Sequence, residues 1–330
     1  MGETNKILTF LFFLTLGSLL GVFLGINFPY DYNSVEEKFF SVEQSQGLFA
    51  IARNLKKENL IKQEWFFDIA VFLQGGVRKL QAGDYRLSQT MTPFEIAKKI
   101  ISGDIAKKIL TITEGWNLKD IDSYLKSKGI SDFLANANKD YSAEFDFLAD
   151  KPKNLSLEGY FFPDTYQIKA GNSSEDLIKT ALANFDKKLT LNLRSEIEKQ
   201  GRTIFEIVNM ASLLEKEVKT IEDKKIVSGI LWKRLKIGMR LQVDATIVYA
   251  LEKEPGSVSY DDLKVDSPYN TYKYAGLPLG PIANPGLDSI MAAIYPQETS
   301  NWYYLSAPDN KTYFSQTLEQ HNLKKVKYLK

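Results

Sequence analysis

No cysteine occurs among the 330 residues, and histidine occurs once, at His321. The first absence removes a disulfide framework, a thiolate nucleophile and a Cys-ligated zinc. The second removes multi-histidine metal sites and leaves one residue to serve any Ser-His-Asp triad. Neither sign of charge is in excess, since 42 Lys and Arg stand against 41 Asp and Glu. Nucleic-acid binders usually carry a basic surplus, so no nucleic-acid partner is expected. A phosphate-cradling Gly-rich loop and a zinc motif are both missing. Ser123-Tyr124-Leu125-Lys126 fits the S-x-x-K of acyl-serine enzymes, but no K-T-G accompanies it and it falls on an amphipathic helical pattern. No cofactor and no metal are therefore expected. Any chemistry falls to carboxylates, Lys, Tyr, Ser or Thr.

Composition is that of a folded chain, 44% hydrophobic and 25% charged, with length for about two soluble domains plus an anchor. Residues 7–28 carry no charge; Lys6 precedes them and Asp31 is the next charged residue. About 20 apolar residues cross a bilayer core as a helix. A signal peptide would have a shorter apolar run and a small-residue cleavage site, and none follows here. The expectation is an uncleaved transmembrane helix with a short cytoplasmic tail and residues 31–330 exported.

Two segments of the exported part look like copies. Aligning 42–60 with 112–130 matches Val42 to Ile112, Leu48 to Leu118, Ile51 to Ile121 and Leu55 to Leu125. The spacing is helical, and a short β-branched strand precedes each helix. A second pair, 83–100 and 164–181, reads as strand, turn and helix, with Thr92 and Ser173 as caps. Two related strand–helix–strand–helix units are thus expected, near 39–105 and 108–185. Beyond them, 202–219 and 222–236 read as helices, the second ended by Gly238. Residues 254–287, rich in Pro, Gly, Tyr and Asn, read as a binding loop. A hairpin over 302–316 and a last helix over 317–329 complete the chain.

One carboxylate breaks the pattern. On a helix over 203–219, Ile204, Ile207, Val208, Ala211, Leu214 and Val218 share about 120° of arc. Glu215 falls inside that arc, while Glu206, Lys216 and Glu217 point elsewhere, which predicts a solvated Glu217. A carboxylate on an apolar stripe is costly unless paired, protonated or used. Burial favours its neutral form, as a general acid requires. A structural pairing with Arg234, Arg240 or another cation stays open. Tyr269, Tyr272 and Tyr274 offer faces for sugar rings, and Gln242, Asn270 and Asn284 offer amides for hydroxyl or acetamido groups; the tyrosines would serve equally as packing.

LEGYFFPDTYQI (157–168), MASLLEKEVKT (210–220), RLKIGMRLQVDATIVYAL (234–251), SPYNTYKYAGLPLGPIANPG (267–286) and FSQTLEQHN (314–322) together resemble the YceG-like endolytic murein transglycosylases. The likeness covers about 110–322 strongly and the rest more loosely. It departs at Ala245, where the family usually has Pro, and at Gln320, where a Glu is common. Lys311, Thr312 and Tyr313 stand where the family often carries a His.

The resemblance implies that Glu215, first Glu of the E-K-E-[TV] motif, is catalytic. It implies cleavage of MurNAc–GlcNAc bonds within nascent peptidoglycan strands, leaving 1,6-anhydro-MurNAc ends, near peptidoglycan synthases. The implied fold is α+β. It has an N-terminal tail and transmembrane helix (1–30), a LysM-like domain (31–107) and a catalytic domain (108–330). The last divides into a second strand–helix unit (108–185) and a subdomain (186–330) whose helix bears Glu215. The implied place is the bacterial inner membrane, with the catalytic part in the periplasm. Expected substrate contacts are Gln242, Asp244, Tyr269, Asn270, Thr271 and Asn284. Asp244 serves equally as a helper or a helix cap. Glu158 and Asp164 line or brace the cleft, and His321 holds the last helix. The alternative is a non-catalytic, membrane-anchored scaffold that binds peptidoglycan.

Overall fold

The computed structural model of the protein describes residues 2–34, 36–169, 173–254 and 256–329. It is mixed α+β. In chain order the elements are α1 (Gly2–Asn27), β1 (Glu37–Val42), α2 (Leu48–Lys57), α3 (Glu64–Leu73), β2 (Gly83–Ser88), α4 (Pro93–Ser102), β3 (Lys107–Thr111), α5 (Leu118–Ser127) and α6 (Phe133–Ala137). They continue as β4 (Thr165–Lys169), α7 (Ser174–Lys188), α8 (Leu191–Lys199), α9 (Ile204–Glu217), α10 (Ile221–Lys236), α11 (Asp244–Leu251), α12 (Leu287–Ile294), β5 (Tyr303–Ser306), β6 (Thr312–Ser315) and α13 (Leu318–Tyr328). The chain divides into two compact units: one runs to Ile109 and regains a short segment at Gln167, and the other holds Leu110–Tyr166 and the chain from Ser173 onward.

In the first unit, α1 includes an uncharged stretch within Lys6–Asn27, long and apolar enough to cross a membrane. β1 and β2 pair antiparallel, from Glu37 opposite Ser88 to Val42 opposite Gly83. Alternation along these strands sends Phe40, Val42, Tyr85 and Leu87 into a core with Ile51 and Leu55 of α2, Phe67 of α3, and Ile96 and Ile100 of α4. Thr92 caps α4 in a capping box with Glu95, as the sequence suggested.

The two stretches read as copies run in the same order of helices and strands, β1–α2–α3–β2–α4 and β3–α5–α6–β4–α7, each with one helix more than expected. α2 and α5 begin at Leu48 and Leu118 and end in the same way. Leu60 N donates to Leu55 O and Ile130 N to Leu125 O, both at 2.9 Å. Asn59 and Gly129 supply the left-handed turn that this closure needs. α3 and α6 were not anticipated. α3 is apolar nearly throughout and shows no helical alternation. β4 and α7 form as expected, and Asp176 accepts from the Ser173 N–H and hydroxyl. The turn expected between them at 170–172 lies outside the described residues.

The second unit is built on α9, α10 and α12, which pack on one another, with α8 against α9 and α12. Ile207, Val208, Ala211 and Leu214 of α9 are buried, as the wheel required. Thr203 caps α9 with Glu206. Gly238, left-handed, follows α10 where Met239 N closes back on Arg234 O at 2.9 Å. Asn209 and Ser212 of α9 bind the loop across from them: Asn209 Nδ2 donates to Pro278 O at 2.8 Å, and Ser212 Oγ accepts from Ile282 N at 3.1 Å. These bonds hold the end of the 254–287 segment on α9. β5 and β6 form the expected hairpin, Tyr303 opposite Ser315.

Candidate active site

Glu215 occupies the last turn of α9, with its side chain 9% exposed. Three donors converge on Oε2: the Ser289 hydroxyl at 2.6 Å, the Gly286 N–H at 3.0 Å and the Lys224 ammonium at 3.3 Å. Gly286 caps α12 and Ser289 lies in its first turn, so the carboxylate meets the positive end of that helix. Oε1 takes none of these bonds. The cation the sequence left open is thus Lys224, not Arg234 or Arg240. Lys224 starts a buried stripe on α10 with Val227, Ser228 and Leu231. The wheel that selected Glu215 would have selected Lys224 on the next helix.

Glu114, which the sequence did not single out, lines the same cavity as Glu215. A Cβ added at Gly286 would sit 2.2 Å from Glu114 Oε1, so glycine leaves room for this carboxyl beside the α12 cap. Burial, then the charge of Glu215, push the Glu114 pKa up, while Lys224 opposes them. Glu114, Gly115, Glu215, Glu217, Asp244, Ala245 and Val248 line a cavity of about 340 Å³. Lys216, Ala245 and Val248 also border a second cavity of about 550 Å³, which carries Asn117, Asp120, Glu158, Tyr249 and Tyr269 on its walls. The two cavities share these three wall residues and are taken together as the groove. A larger cavity of about 640 Å³ lies away from it, lined by Arg202, Trp232, Lys233 and Gln297, and holds none of the predicted residues.

Glu217 corrects the wheel's reading. It is only partly exposed, and its carboxyl turns inward to the Tyr304 hydroxyl and the Ala245 backbone. Burial pushes its pKa up to about 7, and Asp244 adds to this; Tyr304, the Ala245 N–H and Arg234 pull it down. β5 brings Tyr304 from far along the chain, which single-helix geometry does not register. Asp244 is the first residue of α11, not its cap, which is Val243. Its carboxylate accepts from the Tyr272 hydroxyl and borders the cavity with Glu215.

Glu158 is buried in the lining of the second cavity. It accepts from Leu118 N at 3.1 Å, the Tyr249 hydroxyl at 3.2 Å and Asn284 Nδ2 at 3.1 Å. Burial outweighs these bonds and pushes its pKa up to about 8. Tyr269 faces the groove with its ring 4.9 Å from that of Tyr249.

Other predicted contacts brace the loop. Asn284 is buried and spends its amide on Phe161 N, Trp116 O and Glu158. Asn270 holds Leu263 O, Val265 O, Tyr272 N and Lys273 N. Thr271 Oγ1 accepts from Val243 N and meets Thr246. Gln242 is exposed, with a left-handed backbone and its N–H on Thr271 O. Asp164 immediately precedes β4, accepts from Asn184 Nδ2 at 2.9 Å, and borders neither cavity. His321 stacks on Tyr303 with ring centroids 5.4 Å apart. Burial, then Lys325, lower its pKa.

Fold and site together define a mixed α+β protein with one N-terminal apolar helix and a groove centred on carboxylates. The YceG-like family model matches residues 40–327, and the chain belongs to that family. It is 33% identical over 316 residues to the endolytic murein transglycosylase of Bacillus subtilis, covering 91% of this chain and 87% of that one. It is 30% identical over 352 aligned residues to the endolytic murein transglycosylase of Streptococcus pneumoniae R6, covering 96% of this chain and 64% of that one. A crystal structure of a YceG-like protein from Listeria monocytogenes superposes with a TM-score of 0.61 at 31% identity, over 88% of this chain and all of that one. The family that the sequence motifs resembled is the family the chain belongs to.

Proposed function

We propose that the protein is an endolytic lytic transglycosylase that cuts MurNAc–GlcNAc bonds of nascent peptidoglycan strands, and that Glu215 is its catalytic acid and base. The observation that carries this is a carboxylate held by three converging donors at the wall of an open groove. Family membership supports the same substrate class.

The chemistry needs one proton shuttle. In the acid step Glu215 carries a proton in place of its ion pair with Lys224; it donates that proton to the glycosidic oxygen, and the bond from that oxygen to the MurNAc anomeric carbon breaks. The acetamido oxygen of the substrate steadies the positive carbon. The MurNAc C6 hydroxyl oxygen then bonds to that carbon, and its proton returns to Glu215. No water is consumed, the product is the 1,6-anhydro ring, and proximity within one sugar replaces a second catalyst. Gly286 N–H, Ser289 and Lys224 are aimed at the carboxylate that exists between the two proton transfers. Glu114 and Asp244, on the same cavity, are the groups we assign to orienting the sugar. Tyr269 and Tyr249 form the wall on which a further sugar of the strand would lie.

In this reading residues 1–30 anchor the chain in the bacterial inner membrane and 31–330 are exported to the periplasmic side, beside peptidoglycan synthases. Residues 31–107, with two strands enclosing two helices, serve as a LysM-like glycan-holding domain, and 108–330 form the catalytic domain. The test compares the full chain with Glu215→Gln on uncrosslinked glycan strands, with products read by mass spectrometry. Anhydro ends are expected from the first and at least about 10³-fold fewer from the second. Equal yields overturn the assignment. Binding of strands without anhydro products from either would favour the scaffold alternative.

A further inference from the structure

α3 is apolar on both faces. Phe67, Ala70 and Val71 enter the core of the first unit. On the opposite arc Trp65, Phe72 and Leu73 are 45%, 74% and 61% exposed, with Phe66 and Ile69 partly covered beside them. A helix apolar all round belongs in a protein interior or in lipid, and ten residues are too few to cross a bilayer.

The position of this ridge is set by α1. Ile26, in the last turn of α1, is buried in the same core. Gly25 lies so close to the Phe66 ring that an added Cβ would fall 1.6 Å from it. The connector that follows is pinned: Pro29 is buried, the Tyr30 hydroxyl donates to Asn59 Oδ1 at 3.3 Å, and Asp31 N donates to Gln89 O at 3.0 Å. The apolar stretch of α1 has 22 residues, about 33 Å at 1.5 Å each, which matches a bilayer core and puts Gly25 and Ile26 at its exit level. Lys62 before α3, and Arg78 and Lys79 after it, are exposed and suit phospholipid headgroups. The acid on α3 nearest the ridge, Asp68, has a buried Oδ1 without a partner, and burial and then Glu64 push it towards its neutral form.

We infer that the Trp65–Phe72–Leu73 face of α3 lies in the interfacial zone of the membrane that α1 spans, so that anchor and first unit are seated in lipid as one body. The inference rests on reading α1 as a membrane span. The occupant of the apolar face is lipid, continuous with the lipid around α1, and the flanking cations meet anionic headgroups.

The absence of cysteine makes the test clean, because any introduced thiol is the sole label site. Full-length Phe72→Cys, Leu73→Cys, Leu14→Cys and Leu191→Cys carry a nitroxide in vesicles of phosphatidylcholine and phosphatidylglycerol. Leu191 is an exposed apolar residue of the other unit and serves as the aqueous control. Collision rates with oxygen and with a water-soluble nickel chelate report depth. Labels at 72 and 73 are expected about 5–10 Å below the headgroups, the label at 14 deeper, and that at 191 in water. Position 14 in lipid with 72 and 73 in water overturns this inference and leaves the anchor standing. Position 14 in water overturns the anchor, and this inference with it. Circular dichroism of each labelled chain confirms the fold, since all four sites are exposed.

Discussion

Lys224 and Glu215 form an ion pair almost closed to solvent, with side chains 5% and 9% exposed. Removing one partner of such a pair strands the other charge, at a cost of about 3–5 kcal/mol, whereas removing both is often tolerated. Lys224→Met is therefore expected to lower stability by about 3 kcal/mol and the rate of anhydro-end formation by about 10²-fold. Lys224→Met with Glu215→Gln should regain most of the stability and none of the activity. Urea titration of the two variants beside the wild type checks this; a double variant no more stable than the single would refute the coupling. Glu158 gives a second test. Its folded pKa is about 8 against an ordinary 4.5, so the folded state holds a proton that the unfolded state has lost between those values. Stability from this group is full below about 4.5 and falls as pH rises to about 8, by a few kcal/mol. Glu158→Gln, which keeps an acceptor for Leu118 N and Tyr249, should flatten that decline in denaturation midpoints measured from pH 4.5 to 8.5.

At the scale of elements, legibility followed periodicity. Strands β1 and β3 with helices α2 and α5 were readable because apolar residues recur at 3 and 4 spacing and the two copies align. Glu215 was readable because it interrupts such a stripe. What lay outside reach came from contacts between distant elements. The tyrosine that turns Glu217 inward belongs to β5, and the cap that receives Glu215 belongs to α12. Asn270 and Asn284 looked like sugar-binding amides because sequence cannot show that backbone groups already occupy them. Gly229 makes a point of the same kind on α10. Alanine there would gain about 1 kcal/mol of helix propensity. Its Cβ, however, would lie 2.0 Å from Gln297 O, a backbone atom held by Gln297 N–H on Lys225 O at 2.9 Å. The clash cannot be relieved by a side-chain rotation, so it outweighs the propensity. Gly229→Ala is expected to cost about 1–3 kcal/mol net, read as a fall in thermal midpoint.

At the scale of the whole molecule, the first unit has a hydrophobic core of its own. Its buried cluster runs from Ile26 to Ile105 and draws on no residue of the second unit. Separate cores allow separate unfolding, and a multi-unit chain need not melt in one step. Leu55 is fully buried in the first core and Ile207 in the second. Leu55→Ala should cost about 2–5 kcal/mol in a transition that leaves anhydro-end formation on soluble strands unchanged, because no residue of the groove belongs to the first unit. Ile207→Ala should weaken the transition that abolishes it, since α9 carries both Ile207 and Glu215. Denaturant curves followed by circular dichroism and by residual activity would separate the two. If Leu55→Ala shifted the activity curve as far as Ile207→Ala, the chain would be one cooperative body, and the proposed glycan-holding and cutting roles could not be assigned to independently stable parts.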